Sequence, residues 1–334
     1  MATSPTLPII WDEFPELKKP LELVLQQVSS SWTIGFKDID TAIKSQLNAG
    51  KLVRPALTLL FSELTDEAYN ENAITLGASV ELLHLATLIH DDIIDESKLR
   101  RGQTSIQTRF GKDTAVYSGD YLLTGMFTLL NKVNNIEVNQ YANEALKEIL
   151  FGELSQKQNR YRLDMTFDEY LLQIKGKTAA LFRMSTLFGI MSRPNDEINN
   201  FRDLMQKIGE TMGMTFQLLD DYLDFSELGD NLALGKPTGQ DIQNGIYTAP
   251  ILFALQDETK RNDLKQLLAL RDAITPTQLN QLHELVVNAH AIEQLNDLLM
   301  HNNEQLNALI ESLPDTKIKQ QLQLLNTRLL HRHQ

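Results

Sequence analysis

The sequence predicts an all-α protein, built as one large helical bundle. Apolar residues recur with helical spacing in nearly every segment, and the alternating pattern typical of strands is hard to find. No Gly/Ser-rich linker and no fixed-period repeat divides the chain. We therefore interpret residues 1–334 as a single domain, with the motifs that carry chemistry within residues 50–250 and a packing half after them.

The predicted helices follow one another with short turn signals between them. In chain order they are Leu76–Ile89, Val116–Leu130, Tyr141–Arg160, Phe167–Ile190, Phe201–Phe225, Gln278–Ala289 and the amphipathic tail Leu295–Leu330. Asn131–Asn139 and Ser192–Asn195 have the composition of breaks, and Thr275–Thr277 has that of a helix start. The Gly- and Pro-containing stretch Glu227–Asn244 is predicted to be irregular.

Composition and charge exclude several classes of protein. The chain has 31 basic and 44 acidic residues, a net charge of −13, which argues against a nucleic-acid binder. It contains no cysteine, so disulfides, zinc–thiolate sites and a cysteine nucleophile are excluded. Residues 1–20 resemble neither a signal nor a transit peptide, and the longest apolar stretches, about ten residues, are too short to span a bilayer. These features predict a cytoplasmic protein without a transmembrane segment.

Two acidic groups stand where apolar helical segments end. In His90–Asp95, Asp91 and Asp95 lie four residues apart on one helix face, with Asp92 beside them. Asp220–Asp224 repeats this arrangement. Carboxylates held so close repel one another unless a cation neutralises them, and oxygen ligands of this kind suit Mg²⁺. One such group alone would indicate an exposed acidic turn or a helix cap, whereas two of them, each ending an apolar helix, predict a magnesium site.

Basic residues that could bind phosphates occur along the same chain as the two acidic groups. Four short segments carry them: Gly50–Pro55, Lys98–Gly102, Lys177-Thr178 and Gly235–Thr238. Arginine forks and lysine charges both suit diphosphate oxygens. Each segment alone would be read as a solvated surface charge. Their occurrence together with the paired acidic groups predicts a site for phosphorylated ligands held through metal ions.

These ordered motifs resemble the trans-isoprenyl diphosphate synthase (polyprenyl synthetase) family from about Gly50 to Pro250. The likeness is to medium- and long-chain members such as the catalytic subunits of hexa-, hepta- and octaprenyl diphosphate synthases. It implies the isoprenoid synthase fold, an all-α bundle around a central cavity. It also implies a trans-prenyltransferase that lengthens an allylic prenyl diphosphate with isopentenyl diphosphate.

The resemblance assigns roles residue by residue. The aspartates of both motifs, Asp91, Asp92, Asp95, Asp220, Asp221 and Asp224, would bind about three Mg²⁺ per active site on the allylic diphosphate. The isopentenyl diphosphate site would comprise Lys51, Arg54, His84 and Arg101. The residues that hold the allylic diphosphate and flank the reacting carbons would be Arg100, Lys177, Thr178 and Gln217, with Lys236 as the companion cation of the second motif.

Two features depart from the family pattern, both beyond Asp224. Lys236 follows Asp220 by sixteen positions, which is longer than the common spacing. Ile246 stands where many relatives carry a lysine, in the Gly-Ile-x-Thr-Ala-Pro form found among medium- and long-chain synthases. The first feature puts the place of Lys236 in question, and the second concerns product class more than activity.

The implied reaction is ionisation, condensation and elimination. Metal ions and cationic side chains would make the allylic diphosphate a good leaving group, and the alkene of isopentenyl diphosphate would attack the resulting carbocation. No side chain need act as general base, since the departing diphosphate lies close to the proton that is lost. Apolar helices would keep water away from the cation.

Product length should depend on the depth of the apolar cavity below the first motif. Short-chain members tend to place bulky residues four or five positions before the first aspartate, where this chain has the small residues Thr87 and Ala86, with Leu83 one turn further. The residues Leu123, Met126 and Phe127 are candidates for the floor. This predicts a product of about C30 or longer, as used for quinone side chains. The alternative is that Ala86 and Thr87 reflect only tight helix packing.

Other functions remain open from the sequence. They are a short-chain C15 or C20 synthase, a class I terpene cyclase, a regulatory subunit, and a catalytic subunit active only with a small partner chain. Terpene cyclases carry a different second motif, and regulatory subunits generally lack one or both acidic motifs. A purely structural bundle would leave six aspartates and several cations unexplained. A homodimer is expected from the resemblance.

Overall fold

The computed structural model describes residues 7–48, 50–65, 70–193, 201–233, 239–314 and 316–330. Within these ranges nearly all regular structure is helical, which confirms the all-α fold class. The helices are α1 Pro15–Ser31, α2 Lys37–Asn48, α3 Val53–Ser62, α4 Glu71–Ile94, α5 Ile106–Phe110, α6 Lys112–Val133, α7 Ile136–Gln158, α8 Phe167–Ile174, α9 Ala180–Met191, α10 Arg202–Ala233, α11 Gln240–Gln243, α12 Ala249–Ala254, α13 Arg261–Leu268, α14 Pro276–Asn288, α15 Ala291–Glu311 and α16 Thr316–Leu330. A π-helical segment, Lys175–Ala179, joins α8 to α9.

The chain divides into two compact units. Unit 1 comprises Met1–Glu144, Leu181–Gly209 and Leu313–Arg328. Unit 2 comprises Ala145–Ala180, Glu210–Ser312 and Leu329–Gln334. The interpretation of the whole chain as one domain stays a prediction.

Helix α4 forms the centre of unit 1, where it packs against α1, α3 and α6. Its first turn is capped by the Asn70 side chain, which accepts a hydrogen bond from the Ala73 N–H at 2.8 Å. Apolar side chains lie on all sides of the helix, which is why it is buried on all sides. Among the helices in the described ranges, α4 alone is long and apolar enough to cross a membrane, but 72% of its most apolar 18-residue stretch is buried inside the protein.

The predicted limit of about ten residues for an apolar stretch is therefore wrong for α4. Weakly polar residues such as Thr75, Gly77 and Ser79 interrupt the apolar run in the sequence but add little polarity to the helix. Burial of α4 among other helices is the behaviour of a core helix.

Unit 2 has its own apolar core, to which α10, α12, α14 and α15 contribute buried side chains. Helix α14 begins at the predicted start signal. Thr275 Oγ1 accepts from the Gln278 N–H at 3.4 Å, and Gln278 Oε1 accepts from the Thr275 N–H at 3.0 Å. This reciprocal capping box, with Pro276 in the first turn, fixes where the helix starts.

Two local predictions are wrong. Helix α10 continues to Ala233, so the first part of the stretch predicted to be irregular is helical. A glycine is required at position 229 of the helix because the His283 ring occupies the space of a side chain: a Cβ on Gly229 would lie 2.7 Å from His283 Nε2. The break predicted at Asn131–Asn139 is also much shorter, because α6 runs to Val133 and α7 already begins at Ile136.

The described residues also hold a small hairpin that the sequence pattern did not indicate. Strands β1 Leu99–Arg100 and β2 Gln103–Thr104 pair antiparallel. Arg101 and Gly102 make the turn, with φ values of 51° and 75°. Two successive positive φ values are typical of a type I′ turn. Strands of two residues are too short to show alternation, so only the Arg-Gly pair could have indicated the turn.

Candidate active site

The first aspartate motif lies at the C-terminal end of α4 in unit 1. Asp92 is 1% exposed. Its Oδ1 accepts a hydrogen bond from Arg100 Nε at 2.7 Å and also pairs with Nη2 of the same guanidinium. Asp91 and Asp95 keep part of their surface exposed, one helical turn apart, with the Asp95 N–H bonded to the Asp91 carbonyl at 2.9 Å. Asp92 therefore anchors the hairpin arginine, while the outer two aspartates remain accessible to a ligand.

The electrostatics of Asp92 favour a further positive charge. Burial raises the pKa of its carboxyl group, and the Arg100 hydrogen bond opposes that rise. Its Oδ2 atom is buried and has no hydrogen-bond partner among the described residues. A buried carboxylate oxygen in this state costs free energy unless something binds it. The site therefore fits a cation in its neighbourhood, on an observation independent of the motif pattern.

Arg54 and His84 form a second part of unit 1's site. Arg54 Nη1 lies 3.3 Å from His84 Nε2, and its guanidinium stacks over the Phe182 ring at 4.7 Å. Burial, and then the charges of Arg54, Arg101 and Arg100, lower the pKa of His84 well below its usual value. A neutral His84 that accepts from Arg54 on Nε2 carries its proton on Nδ1, and so retains one N–H donor.

Arg101 reaches the same region from the hairpin turn. Its Nη1 donates to the Gln46 carbonyl at 3.0 Å. Burial lowers the pKa of its guanidinium, an effect that the charge of Glu81 opposes. The backbone of Arg101 has a positive φ, which is unfavourable for a residue with a large side chain. Such conformations cluster at functional sites.

Glu81 is a residue that sequence reasoning missed. It is 3% exposed and lies one turn before His84 on α4. Burial raises the pKa of its carboxyl group, and the charges of Arg101 and Arg54 lower it. The signal was present in the sequence, because one acidic residue inside the long apolar run Leu76–Ile89 predicts a buried charge that needs cationic neighbours.

Lys51 lies at the entrance to α3. Its backbone carbonyl accepts from Trp11 Nε1 at 2.9 Å, and its side chain is exposed. Leu52 follows with a positive φ of 58°, and α3 then starts at Val53 with Arg54 in its first turn. Cations at a helix N-terminus are unfavourable unless an anion binds there, since the helix end is itself positive.

The second aspartate motif lies on α10 in unit 2. Asp221 is 5% exposed and accepts hydrogen bonds from the Tyr170 hydroxyl on Oδ2 and from Gln217 Nε2 on Oδ1, the latter at 2.9 Å. Gln217 Oε1 in turn accepts from the Thr178 hydroxyl at 2.6 Å. Asp220 is partly exposed and Asp224 is exposed. The middle aspartate is again bound by protein groups, and the outer two are the accessible ones.

Burial raises the pKa of Asp221 to about 7, although both of its hydrogen bonds lower it. Asp220 and Asp224 add to the rise by their negative charge. Burial also raises the pKa of Tyr170 well above its usual value, so the phenol remains a donor. Three carboxylates on one helical stretch thus carry an electrostatic cost that a bound cation would relieve. Tyr170 was not identified from the sequence, where an aromatic residue on an apolar face indicates only core packing.

Lys177 and Thr178 lie in the π-helical segment. Lys177 Nζ donates to Glu153 Oε2 at 3.0 Å and to Gln156 Oε1 at 2.8 Å, both on α7. The helices meet at glycines: a Cβ on Gly152 would lie 2.8 Å from the Gly176 carbonyl carbon, and one on Gly176 would lie 2.6 Å from the carbonyl oxygen of Glu148. Close backbone approach at these glycines holds the π-helical segment against α7. Single π-helical turns occur often at functional sites.

The loop beyond the second motif is described only in part. Lys236 lies outside the described residues. Gly245 has a φ of 74°, and a Cβ there would lie 2.6 Å from the Tyr161 ring, so the glycine is required next to Ile246. A cavity of about 250 Å³ lies beside the motif in unit 2. It is lined by Asp221, Asp224, Phe225, Glu227, Leu228, Gly239, Gln240, Asp241, Ile242, Ile246, Thr248 and Ile251.

The predicted chain-length residues lie on α4 and α6, which pack together in unit 1. Leu83, Ala86 and Met126 are fully buried, and Thr87 and Leu123 are partly buried. Phe127 is 38% exposed in the isolated chain. A place for Phe127 in a cavity floor therefore stays a prediction, and one that requires another surface to cover its ring.

The carboxylates form no preassembled metal cage. Among the described residues no three acidic or imidazole groups converge as they do at a closed metal site. Mg²⁺ commonly takes one or two carboxylates, and substrate phosphates and water complete its coordination. The accessible outer aspartates of each motif fit that mode of binding, as does the buried Oδ2 of Asp92 within the first motif.

Comparison with known proteins is consistent with this geometry. The polyprenyl synthetase family matches residues 37–286 of the chain. The chain is 33% identical over 245 residues to heptaprenyl diphosphate synthase component 2 of Bacillus subtilis (strain 168), covering 73% of this chain and 68% of that protein. A crystal structure of geranylgeranyl pyrophosphate synthase from Lactobacillus brevis ATCC 367 matches with a TM-score of 0.87 and 30% identity, covering 97% of this chain and 99% of that one.

A second solved structure bears on the metal. It is a polyprenyl synthase from Caulobacter crescentus CB15 complexed with calcium and isoprenyl diphosphate, with a TM-score of 0.86 and 26% identity over the full length of both chains. The helical fold and the two aspartate-bearing helices thus define an enzyme of the prenyltransferase class. The chain belongs to the polyprenyl synthetase family.

Proposed function

We propose that this enzyme condenses isopentenyl diphosphate with an allylic prenyl diphosphate and releases a product of about C30 or longer. The observation that carries the proposal is the repeated arrangement of the two motifs. In each, the outer aspartates are accessible while the middle one is bound to a residue predicted to hold substrate, Arg100 for Asp92 and Gln217 for Asp221. Metal-binding and substrate-binding groups are therefore coupled directly.

The isopentenyl diphosphate would bind in unit 1 to Lys51, Arg54, His84 and Arg101. Neutral His84 offers one N–H donor, and the two arginines offer planar forks that match diphosphate oxygens. The N-terminus of α3 adds a favourable dipole. This substrate is not ionised in the reaction, so the role of these residues is to hold it still and orient its alkene.

The allylic diphosphate would be held by Arg100, Lys177, Thr178 and Gln217, with Lys236 as a further cation. Arg100 is fixed by Asp92, and Thr178 and Gln217 are fixed by their mutual hydrogen bond. Residues oriented before the substrate arrives stabilise the charge of the leaving diphosphate without reorganisation. The C–O bond then breaks with its electron pair on the diphosphate, and the terminal carbon of the alkene bonds to the allylic carbon, which leaves the positive charge on the other alkene carbon. A carbon beside that cation loses a proton to the diphosphate, and the electrons of its C–H bond form the new double bond.

Mg²⁺ would be held by Asp91, Asp95, Asp220 and Asp224, with Asp92 and Asp221 as supporting carboxylates, and when bound it supplies Lewis-acid neutralisation of the leaving group. The Caulobacter structure with calcium and isoprenyl diphosphate supports a divalent cation at such a site. About three ions per site is the family expectation.

A medium- or long-chain product is supported by Ala86 and Thr87. Both are small, and Ala86 lies buried on α4, where a bulky side chain would close the cavity predicted below the motif. Relatives carry names of both kinds, a heptaprenyl synthase component and a geranylgeranyl synthase. The small residues favour the longer product, and a C15 or C20 product is the second candidate.

We further propose that the chain works as a homodimer in the cytoplasm. Helix α6 leaves Tyr117 75% exposed, Tyr121 42% and Phe127 38%, an apolar face that a second copy would cover. The relative named as component 2 supports the alternative of a small partner chain.

The deciding experiment is a product assay on the purified chain alone. It is incubated with farnesyl diphosphate and isopentenyl diphosphate, with and without Mg²⁺, and products are separated by reversed-phase chromatography. We expect Mg²⁺-dependent linear products of about C30 or longer. Sole C15 or C20 products would contradict the length, and a cyclic hydrocarbon would favour a terpene cyclase. Activity only after a partner is added would identify a heteromeric enzyme.

A further inference from the structure

Glu81 is an acidic residue in the middle of the most buried helix of unit 1. It is 3% exposed, and its neighbours on α4 are predominantly apolar. A buried carboxylate is costly unless cations or hydrogen bonds compensate it. A residue that served only packing would be expected to be apolar here, as Leu82 and Leu83 are.

The charges that act on Glu81 belong to two residues of the proposed isopentenyl diphosphate site. Arg101 and Arg54 both lower the pKa of its carboxyl group, against the effect of burial. Among the described residues Glu81 forms no direct ion pair with either of them. The negative charge of the carboxylate therefore attracts both guanidiniums.

The backbone at Gly50 shows how tightly these groups converge. A Cβ on Gly50 would lie 2.9 Å from Arg101 Nη1 and 3.4 Å from Glu81 Oε1. The same guanidinium nitrogen donates to the Gln46 carbonyl at 3.0 Å. The loop before α3, the hairpin arginine and Glu81 on α4 thus meet at one point, where only a glycine leaves room for the guanidinium.

We propose that Glu81 is a positioning residue for isopentenyl diphosphate, which holds the Arg101 and Arg54 guanidiniums in place before the substrate binds. The proposal rests on the proposed function, since it takes these arginines as the isopentenyl diphosphate site. Without Glu81, two cations close to each other and to Arg100 would repel one another and move apart.

The sign of the effect separates this role from a simple charge effect. A carboxylate near a diphosphate repels it, so removal of the charge alone would strengthen binding. Removal of a positioning group instead weakens binding, because the arginines must be ordered when the substrate arrives.

The test is Glu81→Gln, which keeps the shape of the side chain and removes its charge. Binding of isopentenyl diphosphate alone is measured by titration calorimetry, and KM for each substrate is measured by the product assay. We expect about tenfold weaker isopentenyl diphosphate binding, equivalent to about 1.4 kcal/mol, with KM for the allylic substrate unchanged. Glu71→Gln, an exposed acid at the start of the same helix, is the control and should bind as the wild type does.

Unchanged or tighter binding would overturn the proposal, as would equal losses for both substrates, which would indicate a structural role. If Glu81→Gln does not fold, the same comparison is made with Glu81→Asp, which retracts the carboxylate while keeping its charge and should weaken isopentenyl diphosphate binding selectively. Arg54→Gln separates the two levels of inference. If it leaves isopentenyl diphosphate binding intact, the proposed site is wrong. If it weakens binding while Glu81→Gln does not, only the role of Glu81 is wrong.

Discussion

Each aspartate motif divides its three carboxylates between two environments. Asp92 is buried and hydrogen-bonded to Arg100. Asp221 is buried and hydrogen-bonded to Tyr170 and Gln217. The outer aspartates keep accessible surface. A buried, hydrogen-bonded carboxylate orients its neighbours, whereas an accessible one can exchange water for a ligand. The three aspartates of each motif are therefore of two kinds, a buried one that positions its neighbours and two accessible ones.

Tyr170→Phe tests the anchoring of the second motif. The change removes one hydrogen bond and leaves Asp221 Oδ2 buried without it, which should lower the free energy of unfolding by about 1–3 kcal/mol. It should also lower kcat, because Asp221 then holds Gln217 less firmly. Urea unfolding and the product assay check both effects. Wild-type stability and kcat together would show that the phenol does not support the motif.

His84→Gln tests the neutral imidazole. Because the folded-state pKa of His84 lies well below 6.5, the unfolded chain binds more protons between those two values, and His84 lowers stability as pH falls below about 6.5. The wild type should therefore lose more stability than His84→Gln between pH 7 and pH 5, as measured by urea unfolding. His301→Gln, at an exposed position, is the control. Parallel pH profiles for His84→Gln and the wild type would contradict the assignment.

Most residues of the candidate site could be predicted because they belong to short motifs with a recognisable spacing in the sequence. Paired aspartates and adjacent arginines are visible as letters, and the fold class follows from periodicity. Glu81 and Tyr170 could not be assigned a partner, because Arg101 and Asp221 are 20 and 51 residues away in the chain. Only the folded arrangement brings those groups together.

At the scale of elements, glycines decide how closely helices approach. Gly152 and Gly176 let the backbone of α7 approach the π-helical segment that carries Lys177 and Thr178. On the same surface Glu153 and Gln156 bind the Lys177 ammonium. The widened π-helical turn and the glycine contact together set the position of the lysine.

Gly152→Ala should disturb this contact. Its Cβ would lie within 2.8–2.9 Å of backbone atoms of Gly176 and Gln173, so one of the helices must shift, at a cost of about 1–3 kcal/mol in stability. KM for the allylic substrate should rise because Lys177 and Thr178 move. Gly77→Ala is the matched control: its Cβ would meet Val24 at an ordinary 3.4 Å, and it should be neutral or stabilising. Equal behaviour of the two variants would refute the argument.

Ala86→Phe tests the wall of the proposed cavity on α4. A phenyl ring in place of a buried methyl group should shorten the product, since it fills space below the first motif. Reversed-phase analysis of the chain-length distribution is the measurement. Thr87→Ala is the control, because it does not reduce the space and should not shorten the product. An unchanged distribution for Ala86→Phe, in a variant that folds normally, would remove Ala86 from the wall.

At the scale of the whole molecule, charge and surface character point to different partners. A net charge of −13 repels diphosphates in solution, so binding must come from local cations and metal ions rather than from the overall field. The face of α6 that exposes Tyr117 and Tyr121 favours association with a second copy.

Tyr117→Glu should weaken that association. A buried glutamate at a twofold apolar interface meets its own copy or an apolar surface, and neither compensates its charge. Light scattering after size-exclusion chromatography should show a shift from dimer toward monomer as the concentration falls. Ile9→Glu changes a residue that is 85% exposed elsewhere in unit 1 and serves as control. A stable dimer of Tyr117→Glu would place the interface on another surface.

The sequence by itself determined the all-α class, the two aspartate motifs, the order of the cations and the small residues behind Asp91, because each is a local pattern of spacing or composition. The tertiary structure alone decided which aspartates are anchors, that the charges of Arg54 and Arg101 act on Glu81, and that Gly229 continues α10 instead of ending it. Burial, pKa and the space around a glycine depend on groups distant in the chain, and no local pattern records them. The two aspartate motifs could be identified from the sequence, whereas the different roles of their buried and accessible aspartates could not.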